Sequence, residues 1–145
     1  MAFNGNFMCT SFKVELMKAV HNFTTGTGDT FKLALYDNTP SFNASTTAYT
    51  SSGEVAASGT YTAGGGTLIN VTPTSSGTTA LTDFADLSFT SVTITAYGAM
   101  IYNDSVAGDP SVCILDFGGA KTATNGTFTI IFPTPDATSA IIRIL

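Results

Sequence analysis

The chain has no tryptophan, one histidine, two cysteines and five lysines and arginines in 145 residues, and charged residues make up only 10% of it. Each scarcity closes off a class of chemistry. Two cysteines and one histidine at these separations cannot furnish a zinc site. Five scattered cations form no cluster for neutralising phosphates, so nucleic acid is not an expected partner. No stretch approaches the roughly 18 consecutive apolar residues of a membrane-crossing helix, and no membrane partner is expected. The opening MAFNGNFMCTSFKVELMKAV lacks a charged start followed by an uninterrupted apolar run, so no secretory leader is expected and folding in a cytoplasm is. Cys9 and Cys113 share no CxxC spacing. One bridge between them can be drawn, but a reduced pair of small apolar residues is the favoured reading.

What is present is apolar, hydroxylated and flexible at the turns. Hydrophobic residues are 43% of the chain and mean hydropathy is +0.27, enough to build a core. At this length a single domain buries roughly 70% of the surface its unfolded chain exposes. With so few charges, Thr, Ser, Asn and Gly must cover the exterior. Such a surface is easily desolvated when two copies meet. Net charge is −5, unevenly spread: residues 1–36 carry Lys13, Lys18 and Lys32 against Glu15 and Asp29, and all but two of the remaining charges are acidic.

Phe12, Leu16, Ala19, Val20 and Phe23 fall on one stripe of a helix, with Lys13, Glu15, Lys18 and Asn22 opposite. This predicts an amphipathic helix over about residues 11–23, capped by Ser11 or Thr10 and ended by the glycines of TTGTGD. Residues 1–10 read as an arm and 11–145 as a single β-rich domain. A first strand follows in TFKLALYD. The polar stretch NTPSFNASTTAYTSSGEVAASGTYTAGGG then reads as a long outward-facing loop. From Thr67 onward, TLINVTPT, DLSFTS, VTITAYGAMIYN, SVCILDFGG, TFTIIFP and AIIRIL are rich in β-branched and aromatic residues and bounded by turn formers. The fold class is therefore mainly β, an antiparallel sandwich or barrel-like domain with one N-terminal helix covering a face or an end. SVCILDF and AIIRIL, apolar on both faces, are expected to be central strands, and the alternating DLSFTSVTIT to lie nearer solvent. Asn125-Gly126 reads as a hairpin turn and Gly98 as a bulge or kink.

Catalysis needs ionisable groups in pairs, and the sequence offers none. His21 reads as a structural histidine on a second apolar edge of the helix, since spacing ties no nucleophile to it. Cys113, inside an apolar run, reads as core. Asp83 and Asp86 read as turn caps, as do Asp104 and Asp109. The glycine-rich GTGDT and AGGGT lack the strand, helix and lysine of a phosphate loop. No catalytic, cofactor or metal residues are assigned. Four residues are candidates for contact with a partner. Phe3 and Phe7 lie in the arm, whose apolar residues must be buried against either its own domain or a neighbouring copy. Tyr49 and Tyr61 lie in the polar loop, where a protein interface is favoured over a sugar-stacking platform.

The series CTSFKVELMKAVHNF, DTFKLALYDN, TAYTSSGEVAASGTYTAGG, LTDFADLSFTSVTITAYGAMIYN and ILDFGGAKTATNGTFTIIFPTPDATSAIIRIL spans nearly the whole chain. In order and spacing it resembles a family of small virion structural proteins of tailed bacteriophages. The resemblance implies a non-enzymatic particle component, made in the bacterial host cytoplasm and present in many symmetric copies. Its implied partners are itself, as a homo-oligomer such as a trimer, and the major capsid protein or tail proteins. The resemblance does not distinguish a capsid decoration or cement protein from a tail or fibre component using the loops around Tyr49 and Tyr61. A free lectin-like β domain is the third reading.

Overall fold

Runs of β-branched and aromatic residues become strands, and turn formers separate them. The computed structural model describes residues 3–145; Met1 and Ala2 of the arm lie outside the described residues. In chain order the elements are β1 (Phe7–Met8), α1 (Thr10–Met17), β2 (Phe31–Tyr36), β3 (Gly66–Thr67), β4 (Asn70–Ser76), β5 (Thr79–Phe84), β6 (Leu87–Asn103), β7 (Ser111–Ile130) and β8 (Ile142–Ile144). They form a five-stranded sheet, β1-β7-β6-β2-β3, and a three-stranded sheet, β4-β5-β8, with antiparallel pairing throughout. The fold is mainly β and sandwich-like, without closure into a barrel.

The two sheets share one core. Phe31 of β2 stacks on Phe23 at 4.4 Å between ring centroids, and both approach Phe84 of β5 at 5.6 Å and 6.1 Å. Phe12 is the one fully buried side chain of α1 and meets Phe23 edge-on at 6.1 Å. Burying a ring of this size is worth about 2–3 kcal/mol, which is how so short a helix is held.

The helix is eight residues long, not the thirteen expected. It stops because Ala19 turns to φ +56°, where its N–H bonds the Leu16 carbonyl at 3.1 Å and the Val20 N–H bonds that of Glu15 at 3.0 Å. This is a Schellman closure with alanine in the position glycine normally takes. His21 and Phe23 therefore lie beyond the helix. Neither expected cap acts: Cys9 is the N-cap without a side-chain bond, the Thr10 N–H goes to the Ala44 carbonyl, and the Ser11 hydroxyl oxygen is buried without a partner. The amphipathic stripe is correspondingly short, with Phe12 buried, Leu16 and Val20 half-buried and Ala19 exposed.

β6 and β7 form one long hairpin. Its near half, around Ala99–Ile101 and Val112–Ile114, lies inside the five-stranded sheet and is buried, so SVCILDF is central as expected. AIIRIL is not: β8 is an edge strand of the small sheet, and Ile144 is half exposed. Asn125-Gly126 makes no hairpin either. Phe89 and Val92 both face the core although they are three residues apart, a spacing that needs an extra residue at Ser91, φ +55°. One residue is likewise extra on β7 around Asn125, φ +46°, whose N–H bonds Thr93 Oγ1 at 2.9 Å. Paired bulges thus restore the register. A larger bulge at Phe117–Ala120 lies opposite the segment from Ala96 to Gly98. Gly98 also leaves a slot: a Cβ there would collide with the Phe3 ring and the Leu115 carbonyl.

Candidate interaction surfaces and the Glu54 cluster

The arm is folded back on its own chain. Phe7 pairs with Ile114 and Met8 with Cys113, and Asn6 Oδ1 accepts the Asp116 N–H at 2.7 Å. Phe3 is 4% exposed, seated against Gly98 and edge-on to Phe42 at 5.8 Å. Of the two readings of the arm, the observed arrangement is packing within the subunit. Phe3 is therefore a core residue here and only Phe7, half-buried on the sheet edge, retains a surface.

Tyr61 is fully buried and Tyr49 half-buried, so the loop does not display its tyrosines as free rings. Both phenols point at one carboxylate. The Tyr49 hydroxyl donates to Glu54 Oε2 at 2.6 Å, while the Tyr61 hydroxyl and the Gly64 N–H donate to Oε1 at 2.7 Å and 2.8 Å. The Tyr61 oxygen also accepts the Leu35 N–H at 2.9 Å, tying the cluster to β2. Tyr49 stacks on Tyr102 at 4.6 Å, the Tyr102 hydroxyl donates to the Gly64 carbonyl, and that of Tyr36 to Thr50. Residues 37–65 are thus ordered by long-range bonds instead of by strands of their own. Burial pushes the Tyr49 phenol up to about 12, helped by the Glu54 charge. Burial likewise raises Tyr36, Tyr61 and Tyr102 well above the ordinary tyrosine range. All four phenols act as hydrogen-bond donors, Tyr49 and Tyr61 to the shared Glu54 carboxylate and Tyr36 and Tyr102 to the Thr50 and Gly64 carbonyls.

His21 is structural in a way spacing alone does not reveal. Asn103 Oδ1 accepts the Ser105 N–H, and its Nδ2 donates to both Asp29 Oδ2 at 2.9 Å and His21 Nδ1 at 3.0 Å. Nδ1 is therefore the acceptor, and Nε2–H donates to Glu15 Oε2 at 2.8 Å. The ring links α1 to the end of β6, with Phe12 and Phe31 beside it.

The remaining polar candidates are placed as follows. Asp86 Oδ1 caps the Phe132 N–H, whereas Asp83 lies within β5 and not in a turn, its carboxyl raised by burial. Asp104 ion-pairs with Lys32 at 3.2 Å, and Asp109 occupies a turn at φ +49°. Cys9 and Cys113 are free and buried, and burial pushes both thiols up, Cys113 to about 12. Among the described residues no three His, Cys, Asp or Glu side chains gather as a metal site, and no helix is long and apolar enough to cross a membrane.

One surface stands out that the sequence reading did not find. A groove of about 320 Å³ runs between the arm, β7 and residues 130–141, lined by Phe7, Met8, Phe117, Ile131 and Ile141 among others. A second, of about 430 Å³, continues along β7 past Lys121, Phe128 and Ile130, and the two share Phe117, Ile130 and Ile131. Ile131 is 76% exposed on this line. The only sequence signal was the uninterrupted apolar run TIIFP, whose second isoleucine has no core to enter.

No protein-family model, curated protein or solved structure matches the chain.

Proposed function

We propose that the chain is a structural component of a tailed-bacteriophage virion, a decoration or cement protein that binds the outer capsid lattice and associates with its own copies as a symmetric oligomer. The observation that carries the assembly role is the pair of adjoining grooves along β7, of mixed lining, with the apolar Phe7, Phe117 and Ile131 in them and Ile131 exposed. Apolar patches beside an open sheet edge mark sites of association. The scarcity of surface charge acts in the same direction, because little has to be desolvated on contact. The virion assignment draws on the resemblance of the motif series to small virion proteins. Shell is favoured over tail because Tyr49 and Tyr61, the rings on which a receptor-binding or sugar-binding loop would rely, are engaged by Glu54.

Quantitative mass spectrometry of density-purified virions tests this reading. The expected result is a copy number comparable to that of the shell protein. Absence from the particle contradicts the proposal, and a few copies per particle moves the protein to the tail.

A further inference from the structure

α1 and the small sheet do not close fully on each other. Between them lies a pocket of about 190 Å³, lined by Phe12 and Leu16 of the helix, by Phe23 after it and by residues of β4, β5 and β8. Phe12, Phe23 and Ile142 are buried and form its inner wall. Pro73, Ala80 and Ile144 are exposed and mark its mouth. Of the nine residues around it, Thr82 alone has a polar side chain, and none is charged.

That lining decides what the pocket can hold. A buried water needs about two to four polar partners, and one threonine hydroxyl supplies too few. A charged group would lose its hydration and find no counter-ion. An uncharged apolar molecule loses neither. Size sets the next limit, because a cavity of about 150 Å³ lined by Leu, Ile and Phe takes a benzene molecule, and this one is a little larger.

The rings select among apolar occupants. Phe12 and Phe23 meet edge-on at 6.1 Å, and Phe23 leads inward to Phe31 and Phe84 at 4.4 Å and 6.1 Å. A further ring set against Phe12 and Phe23 extends that cluster, and each edge-to-face or offset pair adds to what burial alone contributes. We propose that this pocket is a binding site for a small uncharged aromatic molecule, a single ring of benzene's size with at most a short substituent. The bound ring touches α1 on one side and β5 and β8 on the other. Phe12 is the only side chain that α1 buries fully, so the ligand supplies a second hold of the helix on the small sheet. The site is separate from the grooves along β7 and assumes nothing about the particle.

An NMR titration of the full chain with benzene, read at the Ala, Leu and Ile methyls, tests the proposal. Saturable shifts are expected at Leu16, Ala80, Ile142 and Ile144, with a Kd in the millimolar range and a melting temperature that rises with benzene concentration. Cyclohexane, of similar size but without a π face, should bind several-fold more weakly, and benzoate about tenfold or more. Ala80→Phe, at an exposed position, should fill the pocket with its own ring and abolish binding while the chain stays folded. Ile144→Asp, also exposed, should weaken binding about tenfold by placing a charge in the lining. The absence of saturable shifts at these methyls overturns the proposal, as does binding that persists unchanged in both variants. Benzoate or cyclohexane binding as tightly as benzene overturns it too. None of these results bears on the copy number in the virion, so the two readings fail separately.

Discussion

At the scale of single residues, Glu54 organises more of the surface than its place in a polar loop would indicate. It accepts from two phenols and one backbone N–H, and so fixes residues 37–65 against β2 and β6. Hydrogen bonds to a charged group are worth about 1.5–3 kcal/mol each, and leaving donors unsatisfied costs more than the mean bond. Glu54→Ala should therefore lower unfolding free energy by about 2–3 kcal/mol. Glu54→Gln should cost under about 1 kcal/mol, because the amide oxygen still accepts and its NH₂ can donate to Tyr49. Equilibrium urea unfolding of both variants measures the difference. The same cluster sets the alkaline limit. Tyr49, Tyr36, Tyr61 and Tyr102 all have folded-state pKa values raised by burial. Their contribution is complete below about pH 10, the unfolded value, and is lost as pH rises toward the folded values. Stability should fall steeply above about pH 10, with the phenolate absorbance of these four tyrosines appearing together with unfolding.

At the scale of elements, the helix shows how a local rule is broken and where stability can be regained. Ala19 adopts the left-handed conformation that closes α1, a position costing about 1 kcal/mol for a residue with a Cβ. Ala19→Gly should raise stability by about 0.5–1 kcal/mol, as a shift in the thermal midpoint will show. A helix running to residue 23 predicts the opposite sign, because glycine inside a helix destabilises. The strands were legible because β-branched and aromatic residues mark them whatever their neighbours. Their order was not. AIIRIL is as apolar as a central strand, yet β8 lies at an edge with Ile144 half exposed. Asn125-Gly126 has the chemistry of a turn, and only its place across the ladder from Val92 and Thr93 makes it a bulge. The order of residues 37–65 was hidden for a similar reason: bonds such as Tyr61 to Leu35 join positions far apart in the chain. Phe3 was recognised as needing burial, but its receptor is the empty side of Gly98, which a residue-by-residue reading cannot connect to it.

At the scale of the whole molecule, a mostly uncharged β domain carries a groove of mixed lining with an exposed isoleucine beside β7, and the loop tyrosines are engaged by Glu54. The groove was illegible in sequence because it combines the arm, β7 and the segment after it, none of which is unusual alone. Assembly is the function these features support, and the outer shell of the particle is the proposed place for it. Cryo-electron microscopy of the intact virion tests that claim most directly. The account predicts density for this chain repeated over the outer face of the capsid lattice. Density confined to the tail, or none in the particle, would contradict it.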